Sequence, residues 1–200
     1  MKQQIIGRGA EAILIKKNSH LIKDRIKKSY RLPKLDLKLR KSRTKKEAKL
    51  LDKAYSIIKV PKIISSDNKE IIEMEFIEGK KLSETLDNLK DKNKICEKIG
   101  QNISKLHDKE IIHGDLTTSN MILKDNEVYF IDFGLGFNSK KIEDKAVDLH
   151  LLKQALEAKH FLYWKDLFNS VIKGYKSPNK VLILEQLKKV EARGRYKKGF

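Results

Sequence analysis

Two polar motifs in the second half of the chain constrain its fold more than any other feature. The first is HGDLTTSN at residues 113–120, and the second is IDFG at residues 131–134. The β-prone runs at 121–123 and 128–131 predict two short strands between them, folded back as a hairpin. A lone His-x-Asp would favour an ordinary Asp–Asn turn beside a capped strand end. Two motifs in this order and at this spacing instead indicate one shared site.

The predicted hairpin brings Asp115, Asn120 and Asp132 to one edge. Phosphoryl transfer requires a carboxylate that orients or deprotonates the attacking oxygen, and an amide and a carboxylate that hold magnesium on the phosphates. We assign Asp115 the first role, and Asn120 and Asp132 the metal. The sequence therefore predicts ATP and magnesium as cofactors, with transfer or hydrolysis of the terminal phosphate.

A short run of small residues lies between two predicted strands near the start of the chain. It consists of Gly7, Arg8, Gly9, Ala10, Glu11 and Ala12. Small residues let backbone N–H groups approach phosphate oxygens closely, so we predict that these six residues bind the nucleotide. An alanine stands where a third glycine is expected, and a hairpin turn explains the run equally well. The run indicates a nucleotide-binding loop only in combination with a lysine and a glutamate further along the chain.

These two residues occur in the order that phosphate binding requires. Lys23 ends a predicted strand that begins at His20, where its ammonium could reach the α- and β-phosphates. A basic connector is predicted over Lys27–Leu39. Thr44 is predicted to cap a helix that runs to about Ile58, with Glu47 as its capping-box partner. We expect Glu47 to pair with Lys23 and to hold its ammonium in place, and we assign both residues, with Asp115, to the catalytic set.

The predicted elements divide the chain into two lobes with a change near residue 79. Residues 1–78 are predicted as a β-rich lobe, 79–192 as a helical lobe and 193–200 as a basic tail. An extended hinge between the lobes would offer backbone donors and acceptors to adenine, although an ordinary strand end predicts the same sequence. The hinge residues are Met74, Glu75, Phe76 and Ile77. The fold class is therefore α+β and bilobal.

The second lobe is predicted to contain four main helices, from the spacing of its apolar residues. They cover about 91–107, 143–158, 160–175 and 179–192. The aromatic residues of the third helix are predicted to lie in the hydrophobic core; they are Phe161, Trp164, Phe168 and Tyr175.

The chain is strongly basic, with 45 Lys+Arg against 27 Asp+Glu and a net charge of +18. Lys23–Lys53 holds fourteen basic and four acidic residues. Such a field attracts polyanions, nucleic acid first among them. A lysine-rich composition is also typical of proteins from hyperthermophiles. The charge alone therefore does not distinguish nucleic-acid binding from a lysine-rich proteome. No apolar run approaches the roughly 20 residues that cross a bilayer. With no signal-peptide pattern at the N-terminus, we expect a cytoplasmic protein.

The ordered motifs resemble the eukaryotic-like protein kinase superfamily and, more narrowly, the small atypical RIO-like kinase/ATPase subunit of the KEOPS complex. The resemblance spans nearly the whole chain. Its pieces are GAEA at 9–12, the stretch 23–36, Arg43 with Glu47, HGDLTTSN, DFGLG, the stretch 143–152 and the RGR at 193–195. It implies an ATP- and magnesium-dependent subunit that assists a tRNA-modifying catalytic partner in threonylcarbamoylation of adenosine. It also implies serine/threonine phosphorylation, including autophosphorylation.

Three departures from ordinary protein kinases favour hydrolysis, or action on a docked partner, over peptide phosphorylation. Gly114 replaces the arginine that would read a phosphorylated activation loop. Thr117 stands in place of the catalytic-loop lysine. Only fifteen residues separate Asp132 from Asp148, which resembles the aspartate that holds the catalytic loop from a structural helix.

The basic regions are expected to contact tRNA through the connector and the tail. The tail residues for this role are Arg193, Arg195, Lys197 and Lys198. A frayed, solvated terminus and a tail folded back toward the nucleotide are the other readings.

Three further functions remain open from the sequence. The first is a RIO-type kinase of ribosome assembly, and the second is a small-molecule phosphotransferase of the aminoglycoside or choline kinase type. The third is a noncatalytic nucleic-acid-binding scaffold on a kinase frame.

Overall fold

The computed structural model describes residues 3–9 and 11–195. Its first half is an antiparallel five-stranded sheet with one long helix. The elements of this half are β1 (Gln3–Arg8), β2 (Ala12–Lys17), β3 (His20–Arg25), α1 (Pro33–Tyr55), β4 (Ile63–Ser66) and β5 (Ile71–Glu75). The sheet order is β1-β2-β3-β5-β4, and α1 packs against β4 and β5.

The second half is mainly helical and carries two small sheets. Its elements are β6 (Lys80–Lys81), α2 (Leu82–Thr85), α3 (Lys92–Asp108), β7 (Ile111–Ile112), β8 (Met121–Lys124), β9 (Glu127–Phe130), β10 (Phe137–Asn138), α4 (Ile142–Lys159), α5 (Trp164–Gly174) and α6 (Lys180–Arg195). One small sheet has the order β6-β8-β9, and β7 pairs with β10. Helix α3 packs on α5, and α4 packs on α6. This order of a β-rich half and a helical half confirms the predicted α+β plan.

Helix α1 begins at Pro33, so the predicted start at Thr44 is wrong. Proline fixes φ near the helical value and lacks an N–H that the first turn does not need, so it starts a helix as readily as it breaks one. Thr44 is fully buried in the middle of the helix and cannot cap it. Glu47 therefore has no capping-box role, and the predicted connector over Lys27–Leu39 is helical from Pro33 onward.

Two other predicted helix boundaries also need correction. Helix α5 begins at Trp164, because the backbone N–H of His160 bonds to Leu156 at the end of α4 and a turn closes from Tyr163 to His160. Phe161 lies in that turn with 69% of its surface exposed, so the prediction that it belongs to the core is wrong. Helix α6 extends to Arg195, beyond the predicted end at 192.

A single hydrophobic cluster runs through both halves of the chain. It joins Leu50 and Leu51 of α1 to Ile103 of α3 and Leu149 of α4 through the strands between them. The two halves are therefore held by a shared core as well as by the chain connection. Over the described ranges, none of the helices combines the length and the apolar character that a bilayer crossing requires.

Helices α3 and α5 approach each other at two glycines. A Cβ added to Gly100 would lie 1.9 Å from the carbonyl oxygen of Val171, and one added to Gly174 would lie 2.0 Å from that of Glu97. Real Cβ atoms never come so close to backbone, so both positions require glycine. This contact fixes the distance between the two helices.

We predict that Gly100→Ala destabilises the protein by about 3 kcal/mol, because the helices must separate to admit the methyl group. Chemical denaturation monitored by circular dichroism measures this change. The control is Gly9→Ala, whose added Cβ would meet only an ordinary contact at 3.5 Å. Equal stabilities of Gly100→Ala and the wild type would contradict the close approach.

Candidate phosphoryl-transfer site

A lysine with two carboxylate partners lies at the centre of the candidate site. Lys23 Nζ donates to Glu47 Oε1 at 2.7 Å and to Asp132 Oδ1 at 2.8 Å. Lys23 is on β3, Glu47 is on α1, and Asp132 follows β9 in the second half of the chain. The lysine and Glu47 are buried, whereas Asp132 is about half exposed. One ammonium thus connects three segments that are far apart in sequence.

The β8–β9 hairpin brings Asn120 and Asp132 to the same end, as its strand pattern predicts. Met121 pairs with Phe130, and the N–H of Ile131 then donates to the carbonyl of Asn120 at 2.9 Å. Asp132 has a φ of 63°, a left-handed value that aspartate adopts more readily than most residues. The backbone turns at this aspartate as it leaves the strand.

Asp115 and Asn120 are in direct contact within the HGDLTTSN loop. Asn120 Nδ2 donates to Asp115 Oδ2 at 2.8 Å and to the Asp115 carbonyl at 3.0 Å. Because the amide nitrogen is used in this way, the amide oxygen of Asn120 is the atom left for a cation. Amide and carboxylate oxygens are ligands that magnesium prefers, so Asn120 and Asp132 fit this ion chemically. Among the described residues, no group of three or more His, Cys, Asp or Glu side chains has the arrangement of a metal site.

The loop that carries Asp115 is held by a buried carboxylate, Asp148 of α4. Asp148 accepts the backbone N–H groups of His113 and Gly114, each at 2.9 Å, and its Oδ2 lies 3.2 Å from the imidazole of His107. A carboxylate that accepts backbone N–H groups fixes the path of the chain beside it. This geometry accords with the structural role expected for Asp148.

His113 is packed and hydrogen-bonded, as expected for a structural histidine. Its Nε2 bonds to the carbonyl of Ile131 at 3.1 Å, and its ring lies 4.5 Å from the ring of Phe133. Burial lowers the pKa of His113 against the opposing attraction of Asp148. The neutral ring joins the HGD loop to the segment that precedes Asp132.

A second buried histidine supports the other end of the same loop. His160, which follows α4, bonds to Asp87 at 2.7 Å through Nδ1 and to the hydroxyl of Thr118 at 3.0 Å through Nε2. Thr118 lies in the 3₁₀ turn that ends at Asn120. The sequence analysis missed this chain of contacts, because its members come from three separate segments with no common spacing.

A cleft of about 390 Å³ lies between the two halves beside these groups. Lys23, Glu47, Asn120 and Asp132 line it. All four predicted hinge residues also line it: Met74, Glu75, Phe76 and Ile77. Apolar residues from both halves complete the lining; these are Leu14, Leu21, Ile122 and Ile131. The cleft has the mixed apolar and polar lining of a small-molecule site.

The predicted glycine-rich loop meets this cleft only in part. Gly7 lines the cleft from β1, whereas Arg8, Gly9 and Ala12 are not among its lining residues. The carboxylate of Glu11 pairs with Arg31 at 2.9 Å and with Arg43 at 2.8 Å. These pairs tie the loop to the segment that precedes α1 and to the middle of the helix. Ala10 lies outside the described residues. Nucleotide binding by this loop remains a prediction.

Of the four tail residues, Arg193 is described with its side chain, and Arg195 is described only in its backbone. Arg193, on α6, pairs with Glu143 of α4. The side chain of Arg195, and Lys197 and Lys198 entirely, lie outside the described residues. Their contact with tRNA remains a prediction.

Arg25 is a member of the site that the sequence analysis missed. Its Nη2 donates to Glu47 Oε2 at 2.5 Å, and the residue is buried. Alternation along β3 could have found it, because Arg25 follows Lys23 by two residues and points to the same face.

These features define a protein-kinase-like phosphotransferase fold. The structure of the streptomycin–ATP–APH(2'')-IIa ternary complex superposes with a TM-score of 0.61 over 94% of this chain and 83% of the other, at 12% identity. At that identity the likeness concerns the fold alone.

Sequence comparisons give the family. The RIO domain matches residues 15–153. The chain is 47% identical to the KEOPS complex subunit Bud32 of Pyrococcus abyssi, over 88% of this chain and 84% of that protein. The chain therefore belongs to the RIO domain family and, within it, to the Bud32 group. This membership confirms the resemblance drawn from the motifs.

Longer relatives carry this sequence as one part. A probable bifunctional tRNA threonylcarbamoyladenosine biosynthesis protein of Methanobrevibacter smithii is 43% identical over 98% of this chain, but over only 37% of its own length. A protein of the same description from Methanocaldococcus jannaschii is also 43% identical, over 97% of this chain and 37% of its own length. The chain thus spans little more than a third of these relatives.

The ion pair of Asp132 predicts a specific acid dependence of stability. Burial opposes ionisation of Asp132, but Lys23 and the N–H of Gly134 outweigh it, so the pKa of Asp132 is lowered. A lowered folded-state pKa gives stabilisation that is present above the ordinary aspartate value and is lost as pH falls through the folded value. The melting temperature of the wild type should therefore fall more steeply between pH 5 and pH 3 than that of Asp132→Asn.

Thermal melts at half-unit pH steps measure this difference. The control is Asp125→Asn, an exposed aspartate in the turn of the same hairpin, which should melt with the wild-type pH profile. Parallel profiles for Asp132→Asn and the wild type would refute the contribution of the Lys23–Asp132 pair.

Proposed function

We propose that the chain is an ATP- and magnesium-dependent phosphotransferase or ATPase of a cytoplasmic KEOPS-type complex. In that complex it supports threonylcarbamoyl modification of adenosine in tRNA by a catalytic partner subunit. The observation that carries the proposal is the contact of Lys23 with both Glu47 and Asp132 at the edge of the cleft. The names of the Bud32 and bifunctional relatives supply the process.

In this proposal ATP binds in the cleft with adenine against the hinge. Lys23 contacts the α- and β-phosphates, and Glu47 holds its ammonium in place. Asn120 and Asp132 hold magnesium, which neutralises charge on the phosphates when it is bound. Asp132 would hold the ion through the carboxylate that here pairs with Lys23.

Asp115 orients the attacking oxygen. The segment after Asp132 is short and closely held: β10 pairs with β7, and the N–H of Ser139 donates to the carbonyl of Glu110 at 2.8 Å. Helix α4 begins at Ile142. Because this segment is compact, it offers little surface for an extended peptide. Its compactness therefore favours water or a docked partner as the phosphate acceptor. Serine/threonine phosphorylation, including autophosphorylation, is then a secondary activity.

A RIO-type role in ribosome assembly is the second candidate, favoured by the RIO domain match over residues 15–153. Purification of the tagged protein from native extract, with and without ribonuclease, separates the two functions. Copurification of a tRNA-modifying partner supports the first, and copurification of ribosomal precursors supports the second.

The solvent face of α1 supports the predicted contact with tRNA. Asp36 and Glu47 of this helix are buried and already paired with basic side chains, which leaves Asp52 as its exposed acid. Seven exposed lysines share the outer surface: Lys34, Lys38, Lys41, Lys45, Lys46, Lys49 and Lys53. Among the described residues, the ion pairs of basic side chains on this helix are made by arginines. Lys53 donates to Asn138 Oδ1 at 3.2 Å, and the other six lysines are available to phosphates.

We predict that Asp132→Ala and Asp115→Ala each lower ATP turnover at least a hundredfold, since they remove the metal ligand and the group that orients the nucleophile. Phosphate release with magnesium measures turnover, first for the protein alone and then with the partner and tRNA, which should raise it. Asp125→Ala is the matched control. Unchanged turnover in Asp132→Ala would refute the metal assignment.

We also predict that replacing Lys34, Lys38, Lys41 and Lys45 with Gln weakens tRNA binding by the assembled complex and flattens its salt dependence. The slope of log K against log salt should fall by roughly 3 for four lost phosphate contacts. Filter binding from 50 to 300 mM salt measures it. The control replaces four exposed lysines elsewhere, Lys109, Lys159, Lys165 and Lys176. Equal slopes for both quadruple variants would show that only total charge matters.

A further inference from the structure

Two cations hold the carboxylate of Glu47, one at each oxygen. Lys23 donates to Oε1, and Arg25 Nη2 donates to Oε2 at 2.5 Å. Both cations come from β3, two residues apart, so they project from the same face of the strand. Arg25 is 5% exposed and Glu47 is 1% exposed. The link between β3 and α1 is therefore buried and has two parts.

The two parts differ in what a bound nucleotide would do to them. Lys23 lines the cleft, and it divides its donors between Glu47 and Asp132. Contact with phosphates would compete for those donors. Arg25 is not among the lining residues, so its bond to Glu47 is compatible with an occupied cleft.

We propose that Arg25 is a positioning residue that holds Glu47, and with it α1, in its position beside Lys23 whether or not nucleotide is bound. Lys23 is then aligned with the phosphates without a separate activating step. The inference rests on the proposed ATP chemistry, and it adds a residue and a mode of regulation to that site.

The segment after Asp132 supports this role of Arg25, because the segment has no room for a phosphorylated activation loop. In protein kinases, phosphorylation of the activation loop controls the position of the equivalent helix. Here Gly114 has a φ of 77°, and a Cβ at that position would lie 2.5 Å from the carbonyl oxygen of Leu135. No arginine can stand there to read a phosphate. A Cβ on Gly136 would meet Leu50 of α1 at 2.8 Å, so this segment already packs on the helix.

Arg25 also reaches the segment that carries Asp132. A Cβ on Gly134 would lie 3.3 Å from Arg25 Nη2 and 2.9 Å from Asp132 Oδ1. The guanidinium therefore lies where β3, α1 and this segment converge. A purely structural arginine would affect stability alone, whereas a positioning arginine acts through Glu47 on the turnover of folded protein.

The test measures kcat and KM for ATP in the full chain for Arg25→Met, Arg25→Lys, Glu47→Gln and the double variant Arg25→Met/Glu47→Gln. Arg25→Met should lower kcat about tenfold and leave KM within about twofold, because Lys23 loses alignment while the adenine walls are untouched. Arg25→Lys should recover kcat to within about threefold of the wild type, since it restores a cation. The double variant should match Glu47→Gln alone, because Arg25 acts only through Glu47.

The control is Arg40→Met, which removes another arginine on a buried carboxylate of α1, Asp36, far from Glu47 in the helix. It should lower stability and leave kcat per folded molecule unchanged. Hydrogen exchange provides a second measurement: amides around 48–53 should exchange faster in Arg25→Met than in Arg40→Met.

Unchanged kcat in Arg25→Met, an equal loss in Arg40→Met, or multiplying losses in the double variant would each overturn the proposal. Asp132→Ala, measured in parallel, separates this failure from failure of the proposed function. If Asp132→Ala abolishes turnover while Arg25→Met has none of these effects, the ATP chemistry stands and only the role of Arg25 is wrong.

Discussion

The site depends on the two ion pairs made by the buried ammonium of Lys23. The ammonium contacts both a carboxylate from α1 and a carboxylate from the second half of the chain. Buried ion pairs contribute little net stability, because desolvation offsets most of their attraction, yet a partner left unpaired is costly. The cluster therefore specifies geometry more than it stabilises the fold. The shared hydrophobic core supplies the stability, and the ion pairs fix the positions of β3, α1 and Asp132 beside the cleft.

The loop that carries Asp115 is fixed by a different device, based on backbone hydrogen bonds. Asp148 accepts two successive N–H groups, and His113 and His160 brace the loop from either end. These partners are unmodified side chains, so the loop is held in place without phosphorylation of another segment. Rigid support of this kind keeps reactive groups within the small tolerance that phosphoryl transfer allows.

The sequence predicted the parts of the site whose residues are close along the chain or follow a regular period. HGDLTTSN and the following Asp132 were readable because a hairpin joins them. Lys23 was readable because it follows Leu21 and Ile22 in a predicted strand, although β3 continues past it to Arg25. The start of α1 was missed because residues 27–39 were predicted as a connector and Thr44 as the cap, although Pro33 suits a first helical turn. Phe161 was assigned to the core by period alone, which cannot detect that the chain turns after His160. The contact from His160 to Thr118 depends on tertiary packing, for which a single sequence carries no signal.

The bifunctional relatives bear on why turnover should depend on a partner. In those proteins a region similar to this chain makes up about 37% of the length, so it is covalently joined to further sequence. Linking two modules raises their effective concentration without any new contact, and such a link is useful only when both act in one assembly. Under the proposed function, a site with little room for a peptide fits that arrangement, because water is the phosphate acceptor and a partner subunit uses the energy. In the same proposal, the exposed lysines of α1 lie outside the cleft and contact the phosphates of tRNA.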